Sequence, residues 1–306
     1  MSSTTTSAPA SALGSAPAKA GLILPVRILG ATAARINTSI SNVALPSIAS
    51  ALNATDTELT GITDAYQLGI AATVLYLGAV GDRYGRKGML LLGALLCVPF
   101  SLASAWSPNA VFLIVAQIAV GVAGGMLYPT TLSMITALWR GKKLTGAIAL
   151  WTGLGTGASV LGPIMGGYLL DNYWWGSVFL ITVPFALLVL VMGAIILPRS
   201  RAAEKAPVDH AGGSLSVVMI SSFVLGIVML PQGITITVAI LFAVTLVSGT
   251  LFVWRQKRAP NPLFDLELAA VPTFWVAFVA GLVAFGALVG AMFIGQQFTQ
   301  NVLRYT

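Results

Sequence analysis

The stretch Gly78-Ala79-Val80-Gly81-Asp82-Arg83-Tyr84-Gly85-Arg86-Lys87 joins an apolar run at about 62–81 to another at about 89–106. Each run has the length of a bilayer-crossing helix, which needs about 20 apolar residues. A short charged turn between two such runs makes a helical hairpin whose turn sits in water. Its glycines permit a tight reversal and close helix approach. Its acid can pair with the neighbouring bases or face a helix N-terminus. The rest of the chain repeats the pattern, with further runs at about 22–45, 111–135, 145–169, 175–197, 214–231, 233–254 and 272–298, nine in all. The runs are continuous rather than alternating, and lipid tolerates no free sheet edge, so helices are expected and not a barrel. The expected fold class is therefore an all-α polytopic membrane protein of about nine transmembrane helices.

Composition agrees. Of 306 residues, 57% are hydrophobic and 8% charged, and the mean hydropathy is +0.91. A soluble domain carries about 25% charged residues, so a water-soluble globule could not cover its surface. A single cysteine, Cys97, excludes an intrachain disulfide. A single histidine, His210, leaves no basis for a His-rich metal site or a Ser-His-Asp triad. No paired carboxylates or nucleophile–base set stands within the runs, so neither an enzyme nor a cofactor is expected. Residues 1–18 are mostly Ser, Thr, Ala and Pro and read as a disordered tail. The apolar run that follows is too long for the core of a secretory signal.

The net charge of +7 is distributed by topology. Arg83, Arg86 and Lys87 lie between runs two and three, and Arg140, Lys142 and Lys143 between four and five. Arg199, Arg201 and Lys205 lie between six and seven, and Arg255, Lys257 and Arg258 between eight and nine. The alternate loops carry Asp56, Glu58 and Asp171 and no base. The expected location is the plasma membrane, and this positive-inside pattern predicts a cytoplasmic N-terminus. It also makes nucleic acid an unneeded explanation of the charge, leaving the lipid bilayer as the expected partner.

The spacing G-x-x-x-D-R-x-G-R-K resembles the signature loop of the major facilitator superfamily of secondary transporters. Gly78, Gly81, Asp82, Arg83, Gly85, Arg86 and Lys87 would then form a conformational-switch loop. Run five reads Ala158-Ser-Val-Leu-Gly162-Pro163-Ile-Met-Gly166-Gly167. A Gly-Pro inside a membrane helix weakens the hydrogen-bond ladder and favours a bend, and the flanking small residues admit a close neighbour. The segment resembles the antiporter motif of proton-coupled drug exporters, with Ala158 where the motif has its first Gly. Asn37-Thr38-Ser39-Ile40-Ser41-Asn42-Val43-Ala44-Leu45-Pro46 is similar to a run-one stretch of the fourteen-span drug/proton antiporters. The likeness continues at Ala65-Tyr66, Tyr128-Pro129, Asp209-x-x-Gly212, Asn261-Pro262-Leu263 and Gln300-Asn301-Val302-Leu303.

Two departures matter. The branch's run-one Asp falls on Asn37, and the Arg of its R-x-x-Q-G motif falls on Gln117. Losing both charges is more coherent than losing one, because a lone buried charge is costly. Two readings stand: the amides face a substrate cavity, or they only bridge helices. Asp64 is either a water-facing helix end or a proton or cation site near the external gate. Arg35 sits mid-run, where insertion costs roughly 2.5–3.5 kcal/mol. It shares a helical face with Thr32, Thr38, Ser39 and Asn42, while Asn37 points about 160° away at 100° per residue. It is either a tolerated defect or an anion-binding residue. Asn42, Trp151, Gln296 and Gln297 complete the candidate cavity, with Trp151 able to stack on a substrate.

The resemblance implies alternating access, with two six-helix bundles rocking about a midplane site, and export of small amphiphilic molecules. Its division of the chain is a tail at 1–20, a six-helix bundle at 21–198 and a cytoplasmic loop at 199–213. Two inserted spans follow at 214–254, a connector at 255–271, and the first span of a C-terminal bundle at 272–306. With five spans of the second bundle missing from that pattern, the expectation is a C-terminally truncated transporter or one half of a split transporter, inactive in export without the missing half or a second chain. The other expectation, from a different class, is a non-transporting membrane interaction subunit.

Overall fold

The computed structural model describes residues 36–37, 39–139, 141–197, 207–264 and 266–301. Among the described residues there is helix and turn and no strand. Helix α1 (Ser39–Leu52) is followed by α2 (Asp56–Tyr84), α3 (Arg86–Ala105), α4 (Ala110–Leu138) and α5 (Gly141–Asn172). A broken segment comprises α6 (Ser177–Leu180) and α7 (Thr182–Ile196); α8 (His210–Met229), α9 (Ile236–Arg258), α10 (Leu266–Ala269) and α11 (Pro272–Asn301) complete the chain. Among the described residues, five helical segments are long and apolar enough to cross a membrane: Arg86–Ala105, Ala110–Ser133, Ser177–Ile196, His210–Met229 and Ile236–Arg258. The chain is thus an all-helical, multi-pass membrane protein. Helix α2 has the length but is less apolar, because it carries Asp56, Glu58, Asp64 and Asp82.

Local chemistry sets the helix ends. Thr55 caps α2 and exchanges hydrogen bonds with Glu58 in a capping box, satisfying two otherwise orphaned donors. Those bonds from Thr55 hold the Glu58 carboxyl below its usual range. Asn109 caps α4 through Phe112 N–H at 2.8 Å, and Thr235 caps α9. Helix α1 runs through Pro46 to Leu52 rather than stopping near Leu45. The extra turns bury Ile48 completely.

The core comprises several apolar layers. At one end Ile36 and, from α1, Ile40, Ala44 and Ile48 meet Ile62, Leu113, Val178 and Phe179. Tyr66, Cys97, Val120, Ala123 and Ala186 form a second layer. At the other, basic end Leu90, Ala94, Leu127, Val189 and Leu197 close the bundle. Helices α2 and α4 approach most closely. A β-carbon on Gly69 would stand 2.9 Å from the Cα of Gly121, and one on Gly93 would stand 2.9 Å from Ala123 O. Small residues at these crossings let backbones touch, which matters in lipid, where no hydrophobic drive separates helix–helix from helix–lipid contact. Helices α8 and α9 pair as a hairpin that leans on α2. Residues 272–287 of α11 are almost entirely exposed.

Candidate functional site

The turn between α2 and α3 is Gly85, at φ 127° and ψ 117°. Side chains rarely adopt this conformation. The reversal directs the flanking charges onto different helices. Arg86 Nε donates to Asp82 Oδ1 at 2.6 Å and Arg86 also reaches Ser133 O of α4 at 3.2 Å. Lys87 Nζ donates to Ala194 O and Leu197 O at 2.7 and 2.6 Å, satisfying terminal carbonyls of α7. Arg83 donates to Pro207 O at 3.2 Å, on the segment that leads into α8. Gly81 lies against Thr130 and Met89, and Gly78 against Pro129. One loop therefore ties the basic ends of α2, α3, α4, α7 and the α8 lead-in. The exposed Asp82–Arg86 pair contributes at most about 1 kcal/mol; what it fixes is direction.

Gly85→Ala is expected to lower stability by about 1–3 kcal/mol, the usual cost of forcing a side chain into such a conformation. Gly88→Ala, three residues on, meets nothing within 4 Å and has no positive φ. It should be neutral or slightly stabilising. Paired thermal melts in detergent check this, and equal melting temperatures would contradict it.

The antiporter-like segment lies along the contact of α5 with α1. A β-carbon on Gly162 would come within 2.8 Å of Ser39 Cβ, and one on Gly166 within 2.8 Å of Ile40 Cγ1. Gly167 meets nothing within 4 Å. Helix α5 continues through Pro163 without interruption. The side chain of Ala158 lies outside the described residues.

Asn37 and Gln117 are both 1% exposed. Ser41 Oγ donates to Asn37 O at 2.8 Å and approaches Asn37 Oδ1 at 3.4 Å. Gln117 Nε2 donates to Ser104 Oγ at 3.0 Å, while its Oε1 has no partner. Asn42 is exposed, so the structure does not bring it to one surface with Asn37. Trp151 is buried beside Ile135 and Ala147, edge-on to Tyr128 at 5.3 Å between ring centroids. Its Nε1 is unpartnered. Asp64 is half-buried on α2 and holds no ion pair among the described residues. Arg35 and the side chains of Gln296 and Gln297 lie outside the described residues.

A further cluster sits beside the loop. Asp209 caps α8 through Gly212 N–H at 3.1 Å and accepts from Arg255 Nε at 3.1 and 3.3 Å. Gln256 Nε2 reaches the same carboxylate at 3.4 Å, and Gln256 Oε1 accepts the amides of Leu263 and Phe264 at 2.6 and 3.2 Å. Tyr76 of α2 hydrogen-bonds His210 Nδ1 at 2.7 Å. The sequence carries Asp209-x-x-Gly212 as part of the family likeness, and the capping role of that Asp is what the structure adds. The sequence gives no sign of Arg255 or Gln256 as partners.

A bundle of membrane-length helices, crossed by small residues and tied at its basic end by one loop, is the architecture of a multi-pass membrane protein. Residues 28–302 match the Major Facilitator Superfamily, and the chain belongs to that family. It is 36% identical over 289 residues to the multidrug efflux pump LfrA of Mycolicibacterium smegmatis, covering 94% of this chain and 57% of that protein. It is 32% identical over 274 residues to the methyl viologen resistance protein SmvA of Salmonella typhimurium, covering 88% and 55%. The chain spans about half the length of the curated relatives it matches. A crystal structure of the peptide transporter POT superposes with a TM-score of 0.57 at 15% identity, over 78% of this chain and 52% of that one. At that identity the likeness is one of fold.

Proposed function

We propose that these residues form the first bundle, the inserted hairpin and the start of the second bundle of an exporter of small amphiphilic molecules. It would reside in the plasma membrane with its N-terminus in the cytoplasm. The observation that carries the reading is the Asp82–Lys87 loop, whose three cations reach the segment leading into α8, the last turns of α4 and the end of α7. A latch of that kind holds the inner ends of the bundle as one body, which a rocking mechanism requires. The relatives named as a multidrug efflux pump and a methyl viologen resistance protein support drug export as the activity. The uncovered face of α11 supports a second helical bundle, on this chain or another, as the working partner.

Asn37 and Gln117 stand where the branch carries a proton-binding carboxylate and its guanidinium partner, so transport by this protein is facilitated rather than proton-driven. The test is the rate of dye exit from preloaded cells of a host lacking its own pumps, washed into dye-free medium. The 306 residues alone are expected to leave that rate unchanged. Co-expression with the second half of the M. smegmatis pump should raise it, and an uncoupler should not reverse the effect. Efflux by a verified monomer would overturn the half-carrier reading. Failure of both arms, with both polypeptides in the membrane, would overturn the transport reading. Reversal by the uncoupler would overturn facilitated transport and direct attention to Asp64.

A further inference from the structure

Helix α9 carries an open groove along one face, lined by Thr245, Leu246, Gly249, Thr250, Val253 and Trp254 and ending at Lys257, with a volume of ≈ 560 Å³. The residues recur with helical spacing, so the groove follows the helix axis. From Thr245 to Lys257 it extends about 18 Å at 1.5 Å per residue. One leaflet of a bilayer has a hydrocarbon depth of about 15 Å, half of the full core. The groove is thus apolar over the depth of a single leaflet and ends in positive charge.

The charged end has the parts of a headgroup site. Trp254 is 52% exposed, and the Arg258 guanidinium lies over its ring, 4.4 Å from the centroid. That contact holds the guanidinium beside the groove mouth, on the indole that would mark the headgroup level. Lys257 lines the same mouth. Arg255, the third cation of this turn, is already committed to Asp209. Among the described residues, neither Lys257 nor Arg258 has an ion pair. A second groove, between α8 and α9 and lined by Leu215, Val218, Ile240, Val244, Val247 and Leu251 among others, ends in no charge. Ordinary lipid tails suffice for that one.

We propose that the α9 groove is a binding site for one anionic phospholipid. An acyl chain lies along Leu246, Gly249, Thr250 and Val253, and the phosphate is held between Lys257 and Arg258. The chemistry is charge complementarity at a membrane surface, where each basic side chain adds to the attraction for an anionic headgroup. The site lies outside the candidate transport cavity, and it ties the inserted hairpin to the lipid composition of the leaflet it faces.

The test is native mass spectrometry of the full chain in mild detergent, titrated with phosphatidylglycerol or with phosphatidylcholine of the same acyl chains. The assay depends neither on transport nor on which side of the bilayer the loop faces. The chain is expected to retain one phosphatidylglycerol in preference to phosphatidylcholine. Lys257→Gln with Arg258→Gln should weaken that retention about tenfold or more. Lys142→Gln with Lys143→Gln, on another exposed basic turn, should leave it unchanged. Thr250→Trp keeps both charges and fills the groove, so it too should lower retention, and it carries the test if the charge variant does not purify as a single species. Equal retention of the two lipids, undiminished retention by the Lys257/Arg258 and Thr250 variants, or an equal loss in the Lys142/Lys143 variant would overturn the proposal. So would displacement of the lipid by inorganic phosphate alone, because the groove would then contribute nothing.

Discussion

Replacing Gly121 with leucine is expected to abolish the folded bundle, or to lower its stability by about 3 kcal/mol or more, the upper range for overpacking a tight contact. At this crossing a single added β-carbon already stands 2.9 Å from Gly69 Cα. The neighbours are backbone, which cannot swing aside as a side chain can. Moving α4 outward would also open the layer of Tyr66, Cys97, Val120, Ala123 and Ala186. In lipid that separation loses dispersion contacts with no hydrophobic compensation. Gly153→Leu is the control: Gly153 is exposed on α5, and a β-carbon there meets nothing within 4 Å. Melting followed by size-exclusion chromatography of the detergent-solubilised chain should show early loss of the Gly121 variant's peak and a near-wild-type transition for Gly153→Leu. Matching transitions would show that α2 and α4 do not depend on backbone contact.

The contrast between those glycines explains what the sequence could and could not convey. Length and apolarity announced the helices, because a bilayer demands both, and the Gly85 turn was readable because charges and glycines interrupt the apolar text there. The buried face of each helix was not readable. Helices such as α4 and α7 are apolar nearly all round, so no stripe separates core from lipid; in the structure close contacts such as those of Gly121 on α4 and Gly193 on α7 do so. Polar stretches are the exception: at 100° per residue Asn37 and Asn42 face different sides, and the structure buries one and exposes the other. An indole inside a span makes Trp151 a candidate stacker for substrate, but the sequence does not give its neighbours, Tyr128, Ile135 and Ala147. The Asp209 cluster was hidden for a simpler reason. Its cap is local, but Arg255 lies 46 residues away, and only the pairing of α8 with α9 brings it near.

That cluster carries the second large effect. Asp209→Ala removes three things together: the α8 cap, the anion facing Arg255 and an acceptor for the buried Gln256 amide. Loss of a cap costs about 1 kcal/mol. The Arg255 side chain is 43% exposed while that of Asp209 is 4% exposed, so the ion pair is partly screened and adds about 1 kcal/mol or less. The amide left without its acceptor adds about 1 kcal/mol, for a total of roughly 2–3 kcal/mol. Asp209→Asn retains capping ability, since Asn caps as well as Asp, and should lose less than half of that. Arg255→Ala leaves a buried carboxylate with only neutral donors and should be more harmful than its exposed partner suggests. If the cluster works as a unit, Asp209→Ala combined with Arg255→Ala will be little worse than Asp209→Ala alone. The effect should also travel. Gln256 holds the Leu263 and Phe264 amides with its other end, so hydrogen exchange at those two positions should accelerate in Asp209→Ala. A lower melting temperature with unchanged exchange there would mean that Asp209 supports α8 alone, and that the hairpin and the connector to α11 are held separately.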